Sequence, residues 1–92
     1  MNKQRRKELD RIQAEIDAFT GALESARDDL DSVRDEEQEA YDNMPESMQG
    51  SDRGEAASEA CDQLQTAYDA LDAAVASVAE ALEAINTARG DQ

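Results

Sequence analysis

From Leu9 the apolar residues fall at Leu9, Ile12, Ile16, Phe19, Leu23, Ala26, Leu30 and Val33, in alternating steps of three and four. That spacing is a heptad seam, with Leu9, Ile16, Leu23 and Leu30 at a and Ile12, Phe19, Ala26 and Val33 at d. Extended further, it places Glu37 at a and Ala40 at d, and the apolar character fades. A second seam runs Ala57, Cys61, Leu64, Tyr68, Leu71, Val75, Val78, Leu82 and Ile85. Two unbroken heptad runs predict two long helices.

The strong punctuation lies between them. Pro45 cannot continue a helix and biases Met44 away from helical geometry. Gly50 and Ser51 complete the break, and Asp52 with Glu55 reads as a capping box for the second helix. Gly90 is a C-terminal stop signal. The expected elements are a helix over about 3–41, a turn over 42–51 and a helix over about 52–89, within a single domain spanning 1–92. Each helix would be roughly 55–60 Å long. Equal lengths around a short turn predict an antiparallel hairpin. A turn centred near residue 47 pairs Leu23 with Leu71, Leu30 with Leu64, Phe19 with Val75, Ala26 with Tyr68 and Val33 with Cys61.

A two-helix hairpin buries little apolar surface against the entropy of ordering its chain. The second helix offers a remedy in its g column, which contains Ala60, Ala67, Ala74 and Ala81, and in Ala70 on the adjoining column. These widen its apolar arc to roughly 160°. The expected fold class is therefore all-α: an antiparallel two-helix coiled-coil hairpin that assembles into a four-helix bundle or higher oligomer. The oligomer face would be Ala60, Ala67, Ala70, Ala74 and Ala81.

Composition narrows the chemistry. The chain has 92 residues, one Cys, no His and a formal net charge of −14. Without His, the Cys/His zinc sites and Ser-His or Cys-His catalysis are excluded. No nucleophile–base pair or Gly-rich phosphate loop is evident, so an enzyme is not expected, nor a metal or other cofactor. Cys61 lies in the second seam and is expected to be a small core residue. The basic N-terminal stretch has no apolar run after it, so no signal peptide is expected. Net negative charge argues against direct contact with nucleic acid or anionic membranes.

The charge is unevenly placed. Residues 1–14 hold five basic side chains (Lys3, Arg5, Arg6, Lys7, Arg11) against two acidic ones. Residues 28–62 hold thirteen acidic side chains against two basic ones, Arg34 and Arg53. The densest part is Asp28, Asp29, Asp31, Asp35, Glu36, Glu37, Glu39, Asp42 and Glu46. Like charges at i,i+4 and acid at a helix C-terminus both weaken a helix. This patch is the first candidate partner-binding surface: carboxylates along a rigid rod suit a basic groove built for phosphates. The competing explanation is a solvated acidic face. The basic end is expected to be neutralised by Glu80, Glu83 and Asp91. The turn residues Tyr41, Asn43, Met44 and Met48 form a second candidate contact surface, or else close the end of the core.

The block Glu36-Glu37-Gln38-Glu39-Ala40-Tyr41-Asp42-Asn43-Met44-Pro45-Glu46-Ser47-Met48-Gln49, followed by Ser51-Asp52-Arg53-Gly54, resembles a segment of small acidic helical-hairpin proteins of phages and prophages. The resemblance covers about residues 36–54. It implies a phage setting and no catalytic residues. Together these features lead to an expected function: a non-enzymatic, phage-type anti-defence inhibitor. It would act in the host cytoplasm, where its acidic, nucleic-acid-mimicking surface meets a basic nuclease or nucleic-acid-binding protein. The alternatives are a coiled-coil assembly adaptor and a small-ligand sponge. A homodimer or higher homo-oligomer is expected in each case.

Overall fold

The computed structural model describes residues 1–90. Helix α1 spans Lys3–Asp42, a single-turn helix α2 spans Glu46–Gln49, and α3 spans Asp52–Arg89. The two long helices fold back on each other into a rod of 68 × 17 × 15 Å. The boundaries fall within a residue of those expected; the addition is α2 inside the turn.

Local chemistry explains the ends. Asn2 caps α1 by accepting the Arg5 backbone N–H at 2.8 Å. Ser51, rather than Asp52, caps α3: its hydroxyl accepts from the Gly54 N–H at 3.3 Å and donates to the Met48 carbonyl. The expected Asp52–Glu55 capping box gives way because Asp52 is already the first helical residue. Acids at Asp52 and Glu55 still complement the positive end of α3. At the other end of α3, Gly90 adopts the left-handed conformation (φ 65°) that closes many helices.

The packing is thin. Among the described residues only Gly54 and Cys61 are buried. The seam residues Leu9, Ile16, Leu23 and Leu30 of α1 are half-buried, as are Leu64, Tyr68, Leu71, Val75, Val78, Leu82 and Ile85 of α3. The second seam thus lies where its heptads put it.

The first seam is turned. Its a column faces α3, but beyond half-buried Ile12 its other inward column is e and not d: Gln13, Thr20, Arg27, Arg34 and Tyr41 are half-buried. The d residues Phe19, Ala26 and Val33 are exposed, Phe19 at 58 % and Val33 at 49 %. The expected pairings of Phe19 with Val75, Ala26 with Tyr68 and Val33 with Cys61 are therefore corrected. Tyr68 instead sits beneath Arg34, whose guanidinium carbon lies 5.2 Å from the ring centre. The a column belongs to both an a/d strip and an a/e strip, so α1 has two faces it can offer. Arg27 and Arg34 decide between them. Their aliphatic stems cover the seam while their guanidinium groups find polar partners on α3.

Candidate functional site

Three cross-helix polar pairs run along one side of the seam. Arg27 pairs with Asp72 at 3.1 Å, Arg34 donates to the Gln65 side-chain oxygen, and Arg89 pairs with Asp10. In an antiparallel pair, e columns meet on one flank and g columns on the other. All three contacts lie on the e side, so the opposite flank holds the d column of α1 and the g column of α3. The hairpin thus has one flank bridged by polar pairs and one flank with an apolar centre, edged on α1 by the g-column acids Glu8, Glu15, Asp29 and Glu36. On the apolar flank, exposed Phe19, Ala26 and Val33 accompany Ala60, Ala67 and Ala74, which are half-buried. Ala70 and Ala81, also expected on the oligomer face, are exposed.

The acidic patch divides into compensated and uncompensated carboxylates. Asp28 pairs with Arg27 at 3.2 Å; Asp31 and Asp35 share Arg34. Asp42 accepts the Gln38 amide at 3.0 Å. Among the described residues, Asp29, Glu36, Glu37, Glu39, Asp42 and Glu46 have no ion-pair partner. Glu37 and Asp31 are half-buried at the seam edge, and the other seven of the patch are exposed. The last turn of α1 carries no basic residue, so its acids face the negative end of the helix dipole unrelieved.

The turn residues separate as well. Tyr41 and Met44 are half-buried and close the core, whereas Asn43 and Met48 are exposed. Gln49, named only as part of the turn block in the sequence, fixes the geometry. Its amide donates to the Tyr41 and Met44 carbonyls at 3.2 and 3.3 Å, tying the last turn of α1 and the turn after it to α2. Gly54 is a second residue the heptads passed over. A Cβ there would collide with the Gln49 and Met48 carbonyl oxygens. The backbone of α2 therefore rests directly on α3.

Near the turn a shallow cleft of about 240 Å³ is lined by Arg34, Asp35, Gln38, Cys61, Asp62 and Gln65. Burial first, then the charges of Glu37, Asp62 and Asp42, push the Cys61 thiol up, so it stays protonated near neutral pH. That makes it a packing residue with poor nucleophilicity. Among the described residues no group of three or more Cys, Asp or Glu is arranged to hold a metal ion. Among the described residues no helix is long and apolar enough to cross a membrane.

The basic end differs from its expectation. Arg11 is held by Glu8 at 3.1 Å and Glu15 at 2.8 Å on its own helix. Lys3, Arg5, Arg6 and Lys7 are exposed and make no ion pair with Glu80 or Glu83. The cross-helix pair at this end has the opposite sense, α1 acid to α3 base. Asp91 lies outside the described residues. Compared with known protein families, curated proteins and solved structures, the chain has no significant match.

Proposed function

We propose that this hairpin is a non-enzymatic binding protein whose acidic, turn-proximal half occupies a basic groove on another protein. The observation that carries the reading is the set of six carboxylates without an ion-pair partner on a rod with principal-axis widths of 17 and 15 Å. Two helices side by side, each about 10–12 Å across with side chains, have the width of a duplex, so the rod suits a groove built for one. Its carboxylates would replace phosphates and favour association through long-range attraction. In the phage setting implied by the turn block, the partner is a host nuclease or nucleic-acid-binding protein, and the outcome is inhibition.

The test spares the carboxylates that hold Arg27 and Arg34. Asp29→Asn, Glu36→Gln, Glu39→Gln and Glu46→Gln are combined in one variant that preserves side-chain shape. Partners captured from host lysate are eluted in a salt gradient and assayed for nuclease or DNA-binding activity. The expected result is a basic protein released at moderate salt, inhibited by wild type and not by the variant. Each rim charge contributes about 1 kcal/mol or less, so binding should weaken most at low salt. Undiminished inhibition by the variant sinks the reading. An assembly adaptor is the second reading, favoured by the exposed Phe19 and Val33. It predicts loss of function from changes on the apolar flank instead.

A further inference from the structure

We infer that two copies of the hairpin associate as an antiparallel twofold dimer through the apolar flank, α3 against α3, with the dyad beside Ala70. This goes beyond the acidic-surface reading and does not depend on it.

The polar flank is bridged within one chain by Arg27–Asp72, Arg34–Gln65 and Asp10–Arg89, with Gln13 Oε1 and Arg34 Nε buried there without a hydrogen-bond partner. The other flank has no such closure. Phe19 and Val33 stand 58 % and 49 % exposed beside a groove floored by alanine. Large apolar side chains exposed at heptad spacing on a helical rod mark a contact surface.

The pattern on α3 identifies the occupant as a second copy. No carboxylate of α3 lies on its g column or on the neighbouring c column. Reversing the helix about the peptide bond between Ala70 and Leu71 maps the g column onto itself. Ala60 then meets Ala81, and Ala67 meets Ala74. Small residues on both sides let the two backbones approach closely, and absence of charge is what an interface centre requires. The same operation brings Phe19 of one copy toward Val33 of the other.

Charge sets the direction. The exposed basic end, Lys3, Arg5, Arg6 and Lys7, would lie beside the partner's acidic turn at Glu46 and Asp52. A parallel arrangement would place like beside like. On α1 these charges oppose its own dipole at both ends, since its first turn holds no acid and its last turn no base. A reversed neighbour relieves both penalties. A strip the length of α3 and about 10 Å wide, a typical helix spacing, buries on the order of 1,000 Å² over both copies. That reaches the lower bound for a specific interface.

The test uses the full chain. Sedimentation equilibrium from low to high micromolar concentration should show a dimer, weakened by added salt. Ala67→Glu with Ala74→Glu places acid beside the dyad and should raise the dimer dissociation constant at least a hundredfold. Phe19→Ser is the second variant; it leaves the half-buried seam intact and should weaken the dimer while circular dichroism shows unchanged helicity. Orientation is read by cross-linking in a Cys61→Ser background. Ala60→Cys and Ala81→Cys should form a disulfide when mixed and neither should self-link efficiently. A wild-type monomer throughout, or self-linking of each variant alone, overturns the inference.

Discussion

The two ends of the rod are built on opposite principles. At the turn, backbone meets backbone: α2 lies against Gly54, Gln49 bonds one carbonyl of the last α1 turn and one of the linker, and Cys61 is buried nearby. At the free end, residues 1–8 are all exposed and the first inward side chain is Leu9. The described tie between helices there is Asp10 with Arg89. Charge follows the same division, acidic where the fold is tight and basic where it is open. The lesson is that a two-helix hairpin does not distribute its specification evenly. Shape is fixed by a few close contacts at one end, and the other end is free to carry unsatisfied charge.

The sharpest way to break this contrast is to add one methyl group in each region. Gly54→Ala drives a Cβ into two backbone carbonyls and should cost roughly 2–3 kcal/mol, as overpacking against an unyielding wall does. Gly21→Ala, in mid-α1 with open space around it, should instead stabilise by up to about 1 kcal/mol. Urea unfolding of both variants measures the difference; equal effects would mean the turn is not close-packed.

A smaller effect is expected at Gln49. Gln49→Ala removes the donor to the Tyr41 and Met44 carbonyls and should cost about 1 kcal/mol. Hydrogen exchange should show the loss confined to the turn, with the amides before Leu9 already fast in wild type.

The mildest probe is Cys61. Its raised thiol pKa means that the unfolded chain loses this proton first as pH rises. Stability is therefore full below the ordinary thiol range and declines above it. Alkylation at neutral pH should be far slower than in urea-unfolded chain. Fast alkylation of the folded protein would show the turn end to be open as well.

Both long helices were legible because steps of three and four recur without interruption, and Pro45 and Gly50 mark where they stop. The inward face of α1 was not. A heptad pattern ranks residues by apolarity, and by that measure Phe19 and Val33 outrank Arg27 and Arg34. The choice between the two strips depends on contacts 31 and 45 residues away in sequence, Arg34 with Gln65 and Arg27 with Asp72. Local spacing does not encode such pairs. A straight helix also drifts from a strict seven-residue repeat by about 20° per heptad, which brings the e column inward as readily as d. The acidic patch was visible in composition alone. Which of its members are neutralised was not, because that follows from where Arg34 reaches. Gly54 could have been noticed as a helical glycine three residues after a capping Ser, where a side chain is usually welcome.

The close approach of α2 to Gly54 has a kinetic consequence. Forming the hairpin requires one loop closure, across a short segment, and closure entropy rises only slowly with length. Once Gln49, Ser51 and Gly54 have set the bend, each further turn of α1 and α3 aligns with no new loop to close. Folding then proceeds as a zipper from the acidic end toward the basic end, and opening runs in reverse. Substitutions near Gly54 slow folding, whereas those near Leu9 and Ile85 chiefly hasten unfolding.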